Sequence, residues 1–262
     1  MTMQPDCVPS LSLSKRNYVE DLTASALHHR AVHHPYLKAL AAGTLPDTRW
    51  ALRDFAQQYY SYSKNFPKYL QATIAQLSDP RHRLALMENL AEESGHYEEE
   101  ELSLLERYNI RREWIVDQPH PVLFRRFADA LGADLDNTPE SDASVCWSEM
   151  FLLLLTHGTP AEAVGALGLG TENIVSTIYQ SFVIAIGRTE LSIEDTVFFP
   201  LHTQVDDAHL ETLQDIAVDL AQTPEGRQGL RRGMLKALQL RSVFWDWMYE
   251  RALDPMNADS VL

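Results

Sequence analysis

The chain has 262 residues, 45% hydrophobic and 23% charged, with a formal net charge of −15. A chain this acidic repels phosphate backbones and anionic lipid, which excludes nucleic-acid and membrane-surface binding as leading readings. Two cysteines, Cys7 and Cys146, are too few for a disulfide framework. With no signal peptide and no apolar run long enough to span a bilayer, a cytoplasmic protein is expected.

Residues 1–13 carry two prolines and no clear period, and read as a flexible arm ahead of a single domain over 14–262. Ser14 is placed to cap a first helix through Tyr18 and Leu22 to His33. His34-Pro35 interrupts it, and a short helix to Ala42 closes at Gly43. Trp50, Phe55, Tyr59, Tyr62 and Phe66 recur at helical spacing after Asp47, with a kink at Pro67. Asp79-Pro80 opens a helix that carries Leu86, Leu90 and Glu93 on one side and runs through the acidic stretch Glu98 to Glu101 as far as Tyr108. A proline-bearing connector leads into His120-Pro121-Val122-Leu123-Phe124 and a helix to Leu131. Ala143 to His157 reads as a buried apolar helix, with Cys146 packed in the core. Pro160 starts the next helix, which holds Gly165, Gly168 and Gly170 and continues through Glu172 to Ile186. Ile193 to Gln222 and Pro224 to Arg251 complete an all-α bundle of about seven to eight helices.

Histidines and acids cluster in a chemically suggestive way. On a helix, His202, Asp206 and His209 stand at i, i+4 and i+7, within roughly 60° of arc, so two imidazoles and a carboxylate share one stripe while Asp207 points elsewhere. Such a stripe is half of a metal site. Glu93 faces inward by its spacing from Leu86 and Leu90, and Glu93-Ser94-Gly95-His96 is a Glu-x-x-His pair. That pair nominates His96 as a partner histidine. Glu172 is a lone acid on an apolar stretch, and equally suits a helix-start acid favoured by the macrodipole. His28, His29, His33 and His34 read as a surface cluster, His82 and His157 as structural residues, and Glu98 to Glu101 as a solvated face.

Taken together, Asn89-Leu90-Ala91-Glu92-Glu93, His120-Pro121-Val122-Leu123-Phe124, Glu172 and His202-x-x-x-Asp206-x-x-His209 resemble the heme-oxygenase-like diiron oxidases. Their fold is shared with heme oxygenase, the TenA thiaminases and the pyrroloquinoline-quinone synthase. The resemblance implies six ligands to two ferrous irons: Glu93, His120, Glu172, His202, Asp206 and His209. By the family pattern His120 rather than His96 is the first histidine. The chain departs from that pattern in the acidic, tyrosine-containing insertion between Glu93 and His120. No acid stands in the run Gln58 to Ser63, where some members carry a further carboxylate, and a tyrosine of that run is a candidate to approach the metals.

The activity so implied is dioxygen-dependent oxidation of a small, amino-acid-derived substrate: N-oxygenation, oxidative C–C cleavage or desaturation in natural-product biosynthesis. An external electron donor and a homodimer are compatible with it. The competing readings are a metal-free or TenA-like enzyme of the same fold, and a non-enzymatic metal-binding or interaction protein.

Overall fold

The computed structural model describes the backbone of residues 9–204 and 207–260, and side chains for 15–203 and 210–258. Helices α1 (Pro9–Leu27) and α2 (Pro35–Ala42) are joined by turns, so the first helix ends six residues short of His33. His34 makes the boundary. Its backbone is extended, its Nδ1 accepts the Tyr36 N–H at 3.2 Å, and Gly43, at φ 68°, closes α2. Helix α3 (Thr48–Ser63) is capped by the Asp47 carboxylate on the Trp50 N–H, and α4 (Phe66–Gln76) follows with Pro67 in its first turn.

Helix α5 (Pro80–Glu93) stops at Ser94-Gly95, and α6 (Glu99–Arg107) is a separate element, so the single helix expected from Pro80 to Tyr108 is two. The reason is Gly95, at φ 89°, a backbone conformation that ends an α-helix. The short α7 (Arg112–Ile115) leads to α8 (His120–Ala130) and then α9 (Asp142–His157). A capping box between Thr159 and Glu162 starts α10 (Pro160–Val164), which continues without interruption through a π-helix, Gly165–Glu172, into α11 (Asn173–Ile186). Glu172 is thus far inside a continuous helical rod, and the macrodipole reading of it does not apply. Helices α12 (Ile193–Thr196), α13 (Phe198–Gln204), α14 (Asp207–Leu220) and α15 (Pro224–Leu253) follow. No strand occurs among the described residues, and none of their helices is long and apolar enough to cross a membrane.

The centre of the bundle is aromatic. Phe55 of α3, Phe124 of α8, Phe182 of α11, Phe199 of α13 and Trp245 of α15 are all fully buried, with Phe55 and Phe182 centroids 4.1 Å apart. Helix α15 lies directly on the α10–π-helix rod. A Cβ on Gly165 would stand 2.2 Å from the Leu230 carbonyl oxygen, so the two backbones touch. Its far end is locked to α3 by the buried pair Arg251–Asp54, with two hydrogen bonds of 2.9 and 2.8 Å.

Helix α9 departs from expectation. Met150 and Leu153 are 47% and 48% exposed, and Cys146 is exposed rather than packed in the core. One apolar face of α9 therefore meets solvent. In the histidine cluster near residue 30, His28 and His33 are at the surface, whereas His34 is buried and shares Asp246 with Arg30.

Gly165→Ala is expected to lower the unfolding free energy by about 1–3 kcal/mol, because the added methyl forces α15 away from the rod. Urea unfolding followed by far-UV circular dichroism measures this.

Candidate metal centre

Four helical segments converge on one small cavity. Glu93 is the last residue of α5, His120 the first of α8, Glu172 the last of the π-helix, and His202 lies on α13. All four side chains line the cavity, of about 30 Å³, enough for a water or an ion and too small for an organic molecule. Glu93, His120 and Glu172 are buried at 3%, 5% and 7% exposure, and His202 is half-buried.

A backbone clasp brings Glu93 and His120 together across the insertion. The Asp117 N–H donates to the Gly95 carbonyl at 2.9 Å. A Cβ on Gly95 would lie 2.5 Å from the Gln118 nitrogen, so glycine alone permits the approach. The chain leaves the site at Gly95, runs through α6 and α7, and returns beside its starting point.

One ligand atom each from Glu93, His120 and His202 lies within 4.8 Å of the others. His120 Nδ1 stands 3.0 Å from Glu93 Oε2, yet this buried nitrogen has no hydrogen-bond partner among the described residues. The two atoms are at ion-pair distance without hydrogen-bond geometry. The opposite nitrogen, His120 Nε2, is 2.9 Å from the Tyr97 hydroxyl. His202 Nδ1 is 2.6 Å from the Phe198 carbonyl oxygen, which can only accept. His202 therefore carries a proton on Nδ1. Each imidazole is thus oriented through one ring nitrogen by an outer partner, as in protein metal sites.

Two buried carboxylates are expensive without a cation, and imidazole nitrogen with carboxylate oxygen is the donor set that iron and similar divalent metals accept. The residues present fit such an ion. The remaining wall is largely aromatic, with Tyr59, Tyr62, Phe66, Tyr179 and Phe198. Behind it Arg241 of α15, 1% exposed, donates to the Tyr59 and Tyr62 hydroxyls at 3.2 Å each, and Tyr59 and Tyr179 share a 2.9 Å hydrogen bond. Burial pushes the Tyr62, Tyr97 and Tyr179 hydroxyls well above the ordinary tyrosine range, with the Glu93 carboxylate adding to the rise at Tyr97. These phenols stay protonated at neutral pH.

Of the six residues marked in the sequence, the structure thus brings together Glu93, His120, Glu172 and His202. Asp206 lies outside the described residues, as does the side chain of His209, whose backbone belongs to α14. His96 is solvent-exposed and outside the cluster of ligand atoms. Tyr59 and Tyr62 do line the cavity. Sequence reasoning missed Tyr97, Tyr179 and Arg241. No spacing marks Tyr97, and Arg241 is one of several arginines on α15, set apart only by its burial.

The chain matches the iron-containing redox enzyme family over residues 53–242 and belongs to that family. It is 24% identical over 206 residues to a 4-aminobenzoate synthase of Chlamydia muridarum, covering 74% of each chain. It is 22% identical over 240 residues to a 4-chloro-allylglycine synthase of Streptantibioticus cattleyicolor, covering 90% of this chain and 84% of that one. Among solved structures, a CADD-like protein from Nostoc punctiforme superposes with a TM-score of 0.70 at 16% identity, covering 93% of this chain and 98% of that one. A heme oxygenase-like domain from Shewanella denitrificans gives 0.65 at 15% identity, covering 94% of both. A TenA homologue from Pseudomonas syringae gives 0.65 at 15% identity, covering 95% and 96%. These structures share the fold. The protein is an iron-dependent redox enzyme on a heme oxygenase-like bundle.

Tyr97→Phe removes the oxygen that holds His120 Nε2. Iron affinity is expected to fall about 10–100-fold with the fold intact, as removal of an outer partner does in other metal sites. Competition against a chromogenic chelator measures it.

Proposed function

We propose that this protein is a non-heme diiron oxidase or oxygenase that uses dioxygen to oxidise a small, amino-acid-derived substrate. The observation that carries this reading is the convergence of Glu93, His120 and His202 ligand atoms within 4.8 Å, with a buried His120 Nδ1 that has no hydrogen bond to make. Glu93, His120, Glu172, His202, Asp206 and His209 are the six residues assigned to the two irons. Four of them stand around one cavity, and the other two follow His202 on the same stretch of chain. Similarity to two biosynthetic synthases supports a natural-product role, with N-oxygenation, oxidative C–C cleavage and desaturation as the candidate outcomes. Cytoplasmic placement and an external electron donor fit the same reading.

Bound iron supplies the electron-transfer chemistry with dioxygen that amino-acid side chains lack. The protein's own residues set the conditions for it. The Tyr97 hydroxyl orients the His120 ring so that its Nδ1 lies beside Glu93, and the Phe198 carbonyl holds the proton of His202 on Nδ1. Phe66, Val175, Tyr179 and Phe198 keep bulk water from the cavity, which protects a reactive centre from side reactions. The Tyr59 and Tyr62 hydroxyls are fixed at the cavity wall by Arg241.

Metal analysis tests the assignment. Reconstituted protein is expected to hold about two irons per chain and to consume dioxygen after ferrous loading. His120→Ala loses most of that iron and His96→Ala keeps it. The reverse order would return the ligand role to His96, and turnover by metal-free protein would refute the reading. Because the buried carboxylates need a cation, iron at a hundred times its dissociation constant is expected to stabilise the fold by about 2.7 kcal/mol. Thermal melts of metal-free and loaded protein report it.

A further inference from the structure

A cavity of about 30 Å³ holds metal but no organic substrate, so the substrate has to be held elsewhere and admitted. The adjoining void is a groove of about 740 Å³ between α9 and α15, within the range of small-molecule sites. Its floor is Trp147, Leu154, Phe244 and Trp247, and its lips are the exposed Met150, Leu153 and Val243.

The groove and the metal cavity are separated by two stacked rings. Tyr62 lines the cavity, Trp147 lines the groove, and the two lie 4.1 Å apart, centroid to centroid, at 2° between planes. Phe244 backs Trp147 from the groove side at 4.2 Å. Arg241 lies 5.3 Å from the centre of both the Tyr62 and Trp147 rings, so a single buried cation clamps the partition. Passage from the groove to the cavity therefore requires the Trp147 indole to leave its stack between Tyr62 and Phe244.

The charge at one end of the groove indicates the ligand. Glu162 is the sole acid among the lining residues, and its Oε1 already takes Lys236 Nζ at 3.2 Å and Arg232 Nε at 3.3 Å. Two cations on one carboxylate leave net positive charge at the end of an apolar slot, in a chain whose formal net charge is −15.

We propose that the α9–α15 groove binds the organic substrate, an apolar or aromatic body bearing a carboxylate that lies toward Lys236, and that Trp147 stacked on Tyr62 is the gate to the metal cavity. This rests on the metal-dependent reading above.

The test uses the full chain with 4-phenylbutyrate as probe and 4-phenylbutylamine as control. Calorimetry on the metal-free protein is expected to show saturable binding of the acid, with the amine about tenfold weaker. Lys236→Gln and Leu153→Glu, both at exposed positions, should each weaken the acid about tenfold without changing iron content. In Co²⁺-loaded protein the acid should shift the visible absorption bands, and in Leu153→Glu it should not at the same concentration.

Absence of acid binding overturns the proposal. Binding that leaves the Co²⁺ spectrum unchanged overturns the substrate and gate roles. A wild-type dimer that Leu153→Glu converts to monomer would make the groove an interface between copies, and overturns it too. Failure to bind metal at all appears in the metal content and removes the underlying reading, while calorimetry still reports on the groove independently.

Discussion

The site depends on a contact between two stretches of backbone that carry no ligand. Gly95 and the pair Asp117-Gln118 meet at a distance that a side chain on residue 95 would forbid. That contact sets the end of α5 against the start of α8, and so sets Glu93 against His120. Both residues are thereby placed on helices rather than in the loop between them, which favours a defined geometry. The glycine that stops α5 is also the one that lets the return strand of chain approach. Termination of the helix and assembly of the site therefore have the same cause.

Around this contact the molecule balances charge in an unusual order. Acids line a small cavity, phenols surround them, and a guanidinium lies behind the phenols rather than beside the acids. A cation placed directly on Glu93 or Glu172 would neutralise the carboxylate and compete with a metal ion. Set one ring further out, Arg241 contributes positive potential through the Tyr59 and Tyr62 hydroxyls rather than by contact with the acids. The same guanidinium keeps the Tyr59 and Tyr62 hydroxyls fixed.

The helical content was legible from periodicity, because the caps at His34, Asp47 and Asp79 and the breaks at Gly43 and Gly158 are local signals that the structure repeats. The boundary at Gly95 was not, since a glycine within an otherwise helical pattern can be tolerated as well as terminate it. Its consequence was larger than a boundary. Helix-local spacing pairs Glu93 with His96 only if α5 continues, and α5 does not, so His96 ends in solvent. The family pattern pointed to His120, where the chain returns. Solvent exposure along α9 was hidden for a different reason, because apolar composition reads alike whether a helix face is covered by its own chain or lines a groove. Arg241 and Tyr97 were invisible because their roles come from tertiary neighbours rather than spacing. The part of the ligand set at Asp206 and His209 rests on sequence alone.

The π-helix has a consequence for how such a site changes over time. A π turn holds one more residue than an α turn, and it is what an inserted residue leaves behind when the flanking helix keeps its packing. Across Gly165–Glu172 the glycines hold the rod against α15, while the wider winding carries Thr171 and Glu172 to the cavity wall. Losing a single residue from this stretch would restore ordinary winding and rotate Glu172 relative to the glycine face. The bundle would keep its shape and lose a carboxylate. A one-codon deletion in this stretch would therefore change what lines the cavity while leaving the same helices packed together, so the chemistry of the wall and the architecture of the bundle are free to change separately.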